Sequence, residues 1–124
     1  MKKTRSLVSV VDDDESIRES LPDLLREFGF DAQTFPSAEE FLASDYLAHT
    51  RCLILDIAMP GMTGPDLQRE LILRRQKIPI VFITAHRDEA VRPRLLNLGA
   101  VECLFKPFSD EDLLQALNTA LRLN

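Results

Sequence analysis

A doubly wound α/β domain, with a five-stranded parallel sheet between two layers of helices, is the fold this sequence predicts. Three observations predict it. Short apolar runs rich in Val, Ile and Phe alternate with segments of helical spacing. The chain has 124 residues, the length of one domain able to bury a core without disulfides. No internal repeat, low-complexity stretch or long linker breaks the alternation.

The strand-like runs are Leu7–Val11, Asp31–Phe35, Cys52–Leu55, Ile80–Ile83 and Glu102–Phe105. The first helix shows an apolar stripe of Ile17, Leu21, Leu24, Leu25 and Phe28, closed by Gly29. Pro22 lies inside that stripe, so a kink or a late helix start is expected. Ser37 with Glu40 predicts a capping box at the second helix, and Ser109 with Asp112 a weaker one at the fifth. Pro65 fits the first position of the third helix. Pro93 should shorten or delay the fourth, which Gly99 ends, and Leu113, Leu117 and Leu121 mark the fifth. Strands and helices in strict alternation imply right-handed crossovers and the flavodoxin-like strand order 2-1-3-4-5. The whole chain, 1–124, is read as one domain, and an output domain following it is left open.

Composition narrows the function. The net charge of −5 argues against this domain gripping nucleic acid itself, which needs a basic face. Cys52 and Cys103 sit in apolar runs without CxxC spacing and read as buried, reduced thiols. The basic start (Lys2, Lys3, Arg5) leads into too few apolar residues for a secretory signal, and no run spans a membrane. The expected location is the cytoplasm.

In a sheet of this order, ligands bind beyond the carboxyl ends of the strands, where the first and third strands diverge. The residues there are specific. The first strand runs into Asp12 and Asp13, the third into Asp56, the fourth into Thr84, and the fifth into Lys106. Crowded carboxylates resist ionisation beside one another, so the set makes sense around a hard cation. Magnesium suits such a cluster, with manganese also possible, whereas zinc would want His or Cys. Lys106 and Thr84 then suit an anion beside the metal, and a phosphoryl group has oxygens for all three to share. A carboxylate can be the nucleophile that receives it.

Read individually, these residues have blander roles. Asp14 caps the first helix, Asp56 could belong to a turn, and Lys106 could be a surface lysine. His86 is expected to be exposed, and Met59 and Met62 to pack the loop. Four segments together outweigh those roles. "VVDDDES", "LILDIAMPGMTG", "VFITAH" and "LFKPF" occur in order on successive strand ends. They resemble the signatures of the response regulator receiver family, most of all receivers of the nitrogen-fixation and nitrate-response type.

The resemblance implies a role for each residue. Asp56 accepts the phosphoryl group. Asp13 binds magnesium directly, Asp12 through water, and Ala58 through its backbone carbonyl. Thr84 and Lys106 hold the phosphoryl oxygens, with the Lys106–Pro107 bond in cis. It also implies a sensor histidine kinase or phosphotransfer protein as donor. Homodimerisation through helix 4, strand 5 and helix 5, and an output that is often a helix-turn-helix, are further implications. Such a domain is a switch more than an enzyme. The alternative within the family is a protein-binding module that is never phosphorylated. A phosphatase of the haloacid dehalogenase type would want a second Asp where this chain has Ala58, and a flavin carrier a Ser/Thr/Gly loop where this chain is acidic. The chain departs from the family at Cys103, where an aromatic is common. The nearby aromatic, Phe105, is expected on the opposite strand face. Signalling is therefore expected mainly through helix 4 and its preceding loop.

Overall fold

The computed structural model describes residues 5–86 and 88–122; Lys2 and Lys3 lie outside them. The elements run β1 (Leu7–Val11), α1 (Glu15–Glu27), β2 (Asp31–Phe35), α2 (Ala38–Leu42), β3 (Thr50–Asp56), α3 (Gly64–Leu73), β4 (Ile80–Thr84), α4 (Val91–Asn97), β5 (Glu102–Phe105) and α5 (Asp110–Arg122). All strand pairs are parallel and the order is 2-1-3-4-5, as the alternation predicts.

Strand alternation divides the core in two. Val8, Val10, Cys52, Ile54, Val81 and Ile83 point to the face covered by Leu21 and Leu25 of α1 and Leu113 and Leu117 of α5. Val11, Leu53, Leu55, Phe82 and Cys103 point to the other face, where Phe41 of α2, Leu67 and Leu71 of α3 and Leu95 of α4 pack. Both faces of β3 and β4 are buried, which is why those strands read as continuous apolar runs.

Several boundaries depart from the sequence pattern. β3 begins at Thr50 and ends at Asp56, and β4 ends at Thr84, so polar residues extend both strands past their apolar stretches. The Thr50 hydroxyl is tied to Ser9 of β1 at 2.7 Å and donates to the Tyr46 carbonyl at 2.8 Å. α1 starts at Glu15 and passes through Pro22 without a late start. Buried Leu21 and Leu25 flank that proline and hold the helix on the sheet despite one missing N–H. At α2 the Ser37 hydroxyl accepts from the Glu40 N–H at 3.1 Å, which is one half of the predicted box. The complete box stands at α3 instead: Thr63 and Asp66 each bond the other's backbone N–H. α4 is short, with Pro93 as its third residue, and Gly99 (φ 105°) follows its end. Among the described residues, no helix is long and apolar enough to cross a membrane.

Candidate functional site: an acidic cluster at the sheet edge

Sheet register alone assembles the site. Val11 pairs with Leu55, so Asp12 and Asp56 are the next residues on adjacent strands. Asp56 pairs with Ile83, which places Thr84 one step beyond it. Thr84 pairs with Phe105, which places Lys106 one step beyond that, and the Lys106 N–H donates to the Thr84 carbonyl at 2.8 Å.

The side chains close the arrangement. Asp12, Asp13 and Asp56 each present a carboxylate oxygen, and the three oxygens lie within 4.8 Å of one another. Asp12 and Asp56 are buried and Asp13 is exposed, so the cluster opens to solvent on Asp13's side. One oxygen of Asp12 accepts from the Lys106 ammonium at 2.9 Å, and the other from the Asp14 N–H at 2.9 Å. Thr84 is buried, and its hydroxyl accepts from the His86 N–H at 3.1 Å. The Lys106–Pro107 peptide is cis. Ala58 is exposed two residues past Asp56, and His86 is exposed as expected.

Burial pushes the Asp56 carboxyl up to about 7; the neighbouring Asp12 charge adds to the rise and Lys106 opposes it. A carboxylate held so far above its ordinary range, beside two others, is the environment a divalent cation relieves. The donors are all oxygen, the exposed side leaves room for water, and no His or thiolate takes part. This chemistry fits magnesium or manganese.

Three contacts between elements carry no sequence signal. Arg18 donates from α1 to the Asp12 backbone carbonyl at 2.9 Å. Glu39 of α2 accepts from the Met62 N–H at 3.2 Å, which ties down the loop after Asp56. Arg92 of α4 pairs with Glu102 of β5 at 2.5 Å, and the same carboxylate accepts from the Cys103 N–H at 2.9 Å. Cys103 itself is buried under α4, and burial raises its thiol. Phe105 lies two residues further along β5 and so shares the face of Cys103, contrary to expectation; the strand period is two.

The profile of the response regulator receiver domain matches residues 8–118. The chain belongs to that family. It is 41% identical over 123 residues to the response regulator protein TmoT of Ectopseudomonas mendocina, covering 99% of this chain and 56% of that protein. It is 44% identical over 117 residues to nodulation protein W of Bradyrhizobium diazoefficiens, covering 94% and 52%. The transcriptional regulatory protein FixJ of the same organism is 34% identical over 119 residues, covering 96% and 58%. The chain thus spans just over half the length of these curated relatives. Among solved structures, the response regulator StyR superposes with a TM-score of 0.89 at 46% identity, covering 98% of this chain and 61% of that one. FixJ-N superposes at 0.85 with 34% identity, covering 97% and 96%. The receiver fold and the likeness to the nitrogen-fixation type both agree with the sequence motifs.

Proposed function

We propose that this receiver domain is a phosphorylation-operated switch that accepts a phosphoryl group on Asp56. One observation carries the proposal: the buried Asp56 carboxyl, raised to about 7, lies within 4.8 Å of Asp12 and Asp13 while Lys106 reaches the same cluster. Asp13, Asp12 and the Ala58 carbonyl would hold magnesium with Asp56. When bound, the metal would neutralise the three carboxylates and the oxygens of an incoming phosphoryl group.

The chain's own groups then do the following. An Asp56 oxygen attacks phosphorus in line. The P–N bond to a donor histidine breaks, its electron pair returns to the imidazole, and an acyl phosphate forms. Lys106 exchanges its bond with Asp12 for one with a phosphoryl oxygen. The Thr84 hydroxyl, now accepting from His86, turns to donate to another. Water later cleaves the acyl phosphate and resets the domain. Movement of Thr84 and Lys106 would bias α4, its preceding loop, β5 and α5, the surface proposed to pair with a second copy or with an output domain. Several relatives are named as transcriptional regulators, and control of transcription in the cytoplasm, under a sensor histidine kinase or phosphotransfer protein, is the proposed setting.

Acetyl phosphate with magnesium should raise the intact mass of the chain by one phosphoryl group. Asp56→Asn, or the native chain in EDTA, should gain none. A native chain that stays unmodified would leave the unphosphorylated binding module as the better account. Ala58→Asn should still be phosphorylated, but with a severalfold longer acyl-phosphate half-life. Ala58 is exposed two residues past Asp56, and a larger side chain there would screen the acyl phosphate from water. An unchanged half-life would remove Ala58 as a determinant of the reset rate.

A further inference from the structure

Arg18 lies one turn into α1 and is half-buried. By periodicity it resembles the solvent-facing arginines of any amphipathic helix. Its guanidinium instead turns back and donates to the Asp12 carbonyl at 2.9 Å. That carbonyl belongs to the peptide linking Asp12 to Asp13. The other bonds at Asp12 lie upstream or on the side chain: its N–H donates to the Phe35 carbonyl at 3.1 Å, and its carboxylate is held by Asp14 and Lys106. Of the bonds that Asp12 makes among the described residues, the one from Arg18 alone fixes the plane of the peptide from which Asp13 hangs. Asp13 is the exposed member of the cluster, and its neighbour Asp14 is already committed to capping α1 through Ser16.

We infer that Arg18 is a positioning residue for the metal site, acting through the Asp12 carbonyl to aim the Asp13 carboxylate. The inference rests on the magnesium site proposed above. A guanidinium beside an acidic cluster repels a divalent cation, so removing its charge should, by Coulomb's law alone, tighten magnesium binding. Loss of positioning acts in the opposite direction. Groups that orient the ligands of a metal site are typically worth ten- to a hundredfold in affinity or activity when removed. The sign of the change therefore separates the two roles.

The experiment is a magnesium titration of the native chain, Arg18→Met, Arg18→Lys and Asp13→Ala. Backbone amide resonances are followed well below each variant's thermal midpoint, and amide exchange at Asp13 and Asp14 is measured in EDTA. Arg18→Met should raise the magnesium dissociation constant roughly tenfold. It should also speed exchange at Asp14, whose N–H the Asp12 carboxylate holds, in the metal-free protein. Arg18→Lys keeps a donor of similar reach and should recover part of the affinity. An unchanged or lower dissociation constant in Arg18→Met overturns the inference while leaving the metal site standing. A thermal midpoint that falls with no change in affinity does the same, since it makes Arg18 merely structural. A native chain whose response to magnesium matches that of Asp13→Ala fails at the metal site itself and takes the positioning role with it.

Discussion

Replacing Asp56 with Asn is expected to stabilise the metal-free domain by about 2 kcal/mol at pH 8, while abolishing phosphorylation. The carboxyl is buried, and its pKa is pushed from 3.8 up to about 7, chiefly by desolvation and then by Asp12. The sign follows from proton counting. Between about pH 4 and pH 7 the folded chain keeps a proton on Asp56 that the unfolded chain has released. Stability contributed by that proton is complete below pH 4 and is lost as the pH rises to 7. A shift of roughly three units corresponds to about 4 kcal/mol. An asparagine removes the charge but buries an amide that must find its own partners, and about half that gain is expected to remain. For a domain of this length the thermal midpoint at pH 8 should rise by about 6–10 °C. Near pH 4 the sign should reverse, because the native carboxyl is neutral there and only the amide's cost of about 2 kcal/mol remains. Millimolar magnesium should stabilise the native chain and leave the variant nearly unmoved, because binding to the folded state alone raises its stability. Thermal melts of both proteins across pH 4–8, with and without magnesium, check all three statements. Equal midpoints at pH 8 would mean that Asp56 bears no such burden.

That charge burden is legible in the sequence, because it depends on which residues end which strands. Val11, Leu55, Ile83 and Phe105 close apolar runs, and the polar residue after each is forced to the same sheet edge by parallel register. Contacts between elements were not legible. Arg18 and Glu39 look like ordinary solvent-facing charges on their helices, and nothing in the 3.6-residue period says that one turns back to Asp12 and the other across to Met62. The Arg92–Glu102 pair joins α4 to β5 across ten residues and has no local signature either. Helix boundaries failed where one backbone rule met a stronger packing demand, as at Pro22 between Leu21 and Leu25. The Thr63–Asp66 box is readable in principle, since Pro65 already marks the start of that helix.

The Arg92–Glu102 pair bears on how the proposed phosphorylation would be transmitted. In place of a large aromatic at position 103 the chain has a buried cysteine under α4, and its own backbone N–H is held by the carboxylate that Arg92 grips. An ion pair between α4 and β5 ties together two elements that the proposed switch would move. The pair is partly exposed, so its strength is modest and salt-sensitive.

The second large effect is expected at Gly64, where substitution tests how tightly the loop after Asp56 is built. Gly64 begins α3, and its N–H donates to the Ile57 carbonyl at 3.0 Å, folding residues 57–64 back on the strand. Its φ is not in the left-handed region, so alanine suits the backbone there and has the better helix propensity. Sterics decide the outcome. A Cβ would stand 3.0 Å from the Ile57 Cα and from Phe82 Cε1, and closer still to the Asp56 carbonyl oxygen. Two of these neighbours are backbone and the third is a fully buried ring, so none can yield cheaply. Gly64→Ala should therefore cost about 3 kcal/mol, the upper end for overpacking. The strain lands on the peptide that carries Asp56. A displacement near 1 Å at a reacting group is worth about a hundredfold in rate, so phosphorylation by acetyl phosphate should slow by that order. Gly29→Ala is the control: its φ is 98°, nothing lies within 4 Å of the added carbon, and it sits at the opposite end of the sheet from Asp56. That variant should lose about 1–2 kcal/mol to backbone strain and keep the native phosphorylation rate. Chemical denaturation and phosphorylation kinetics on the two variants separate strain at a distance from strain at the site. Equal rates in both would show that the loop re-forms around the extra carbon, and that the position of Asp56 depends on β3 rather than on the turn that follows it.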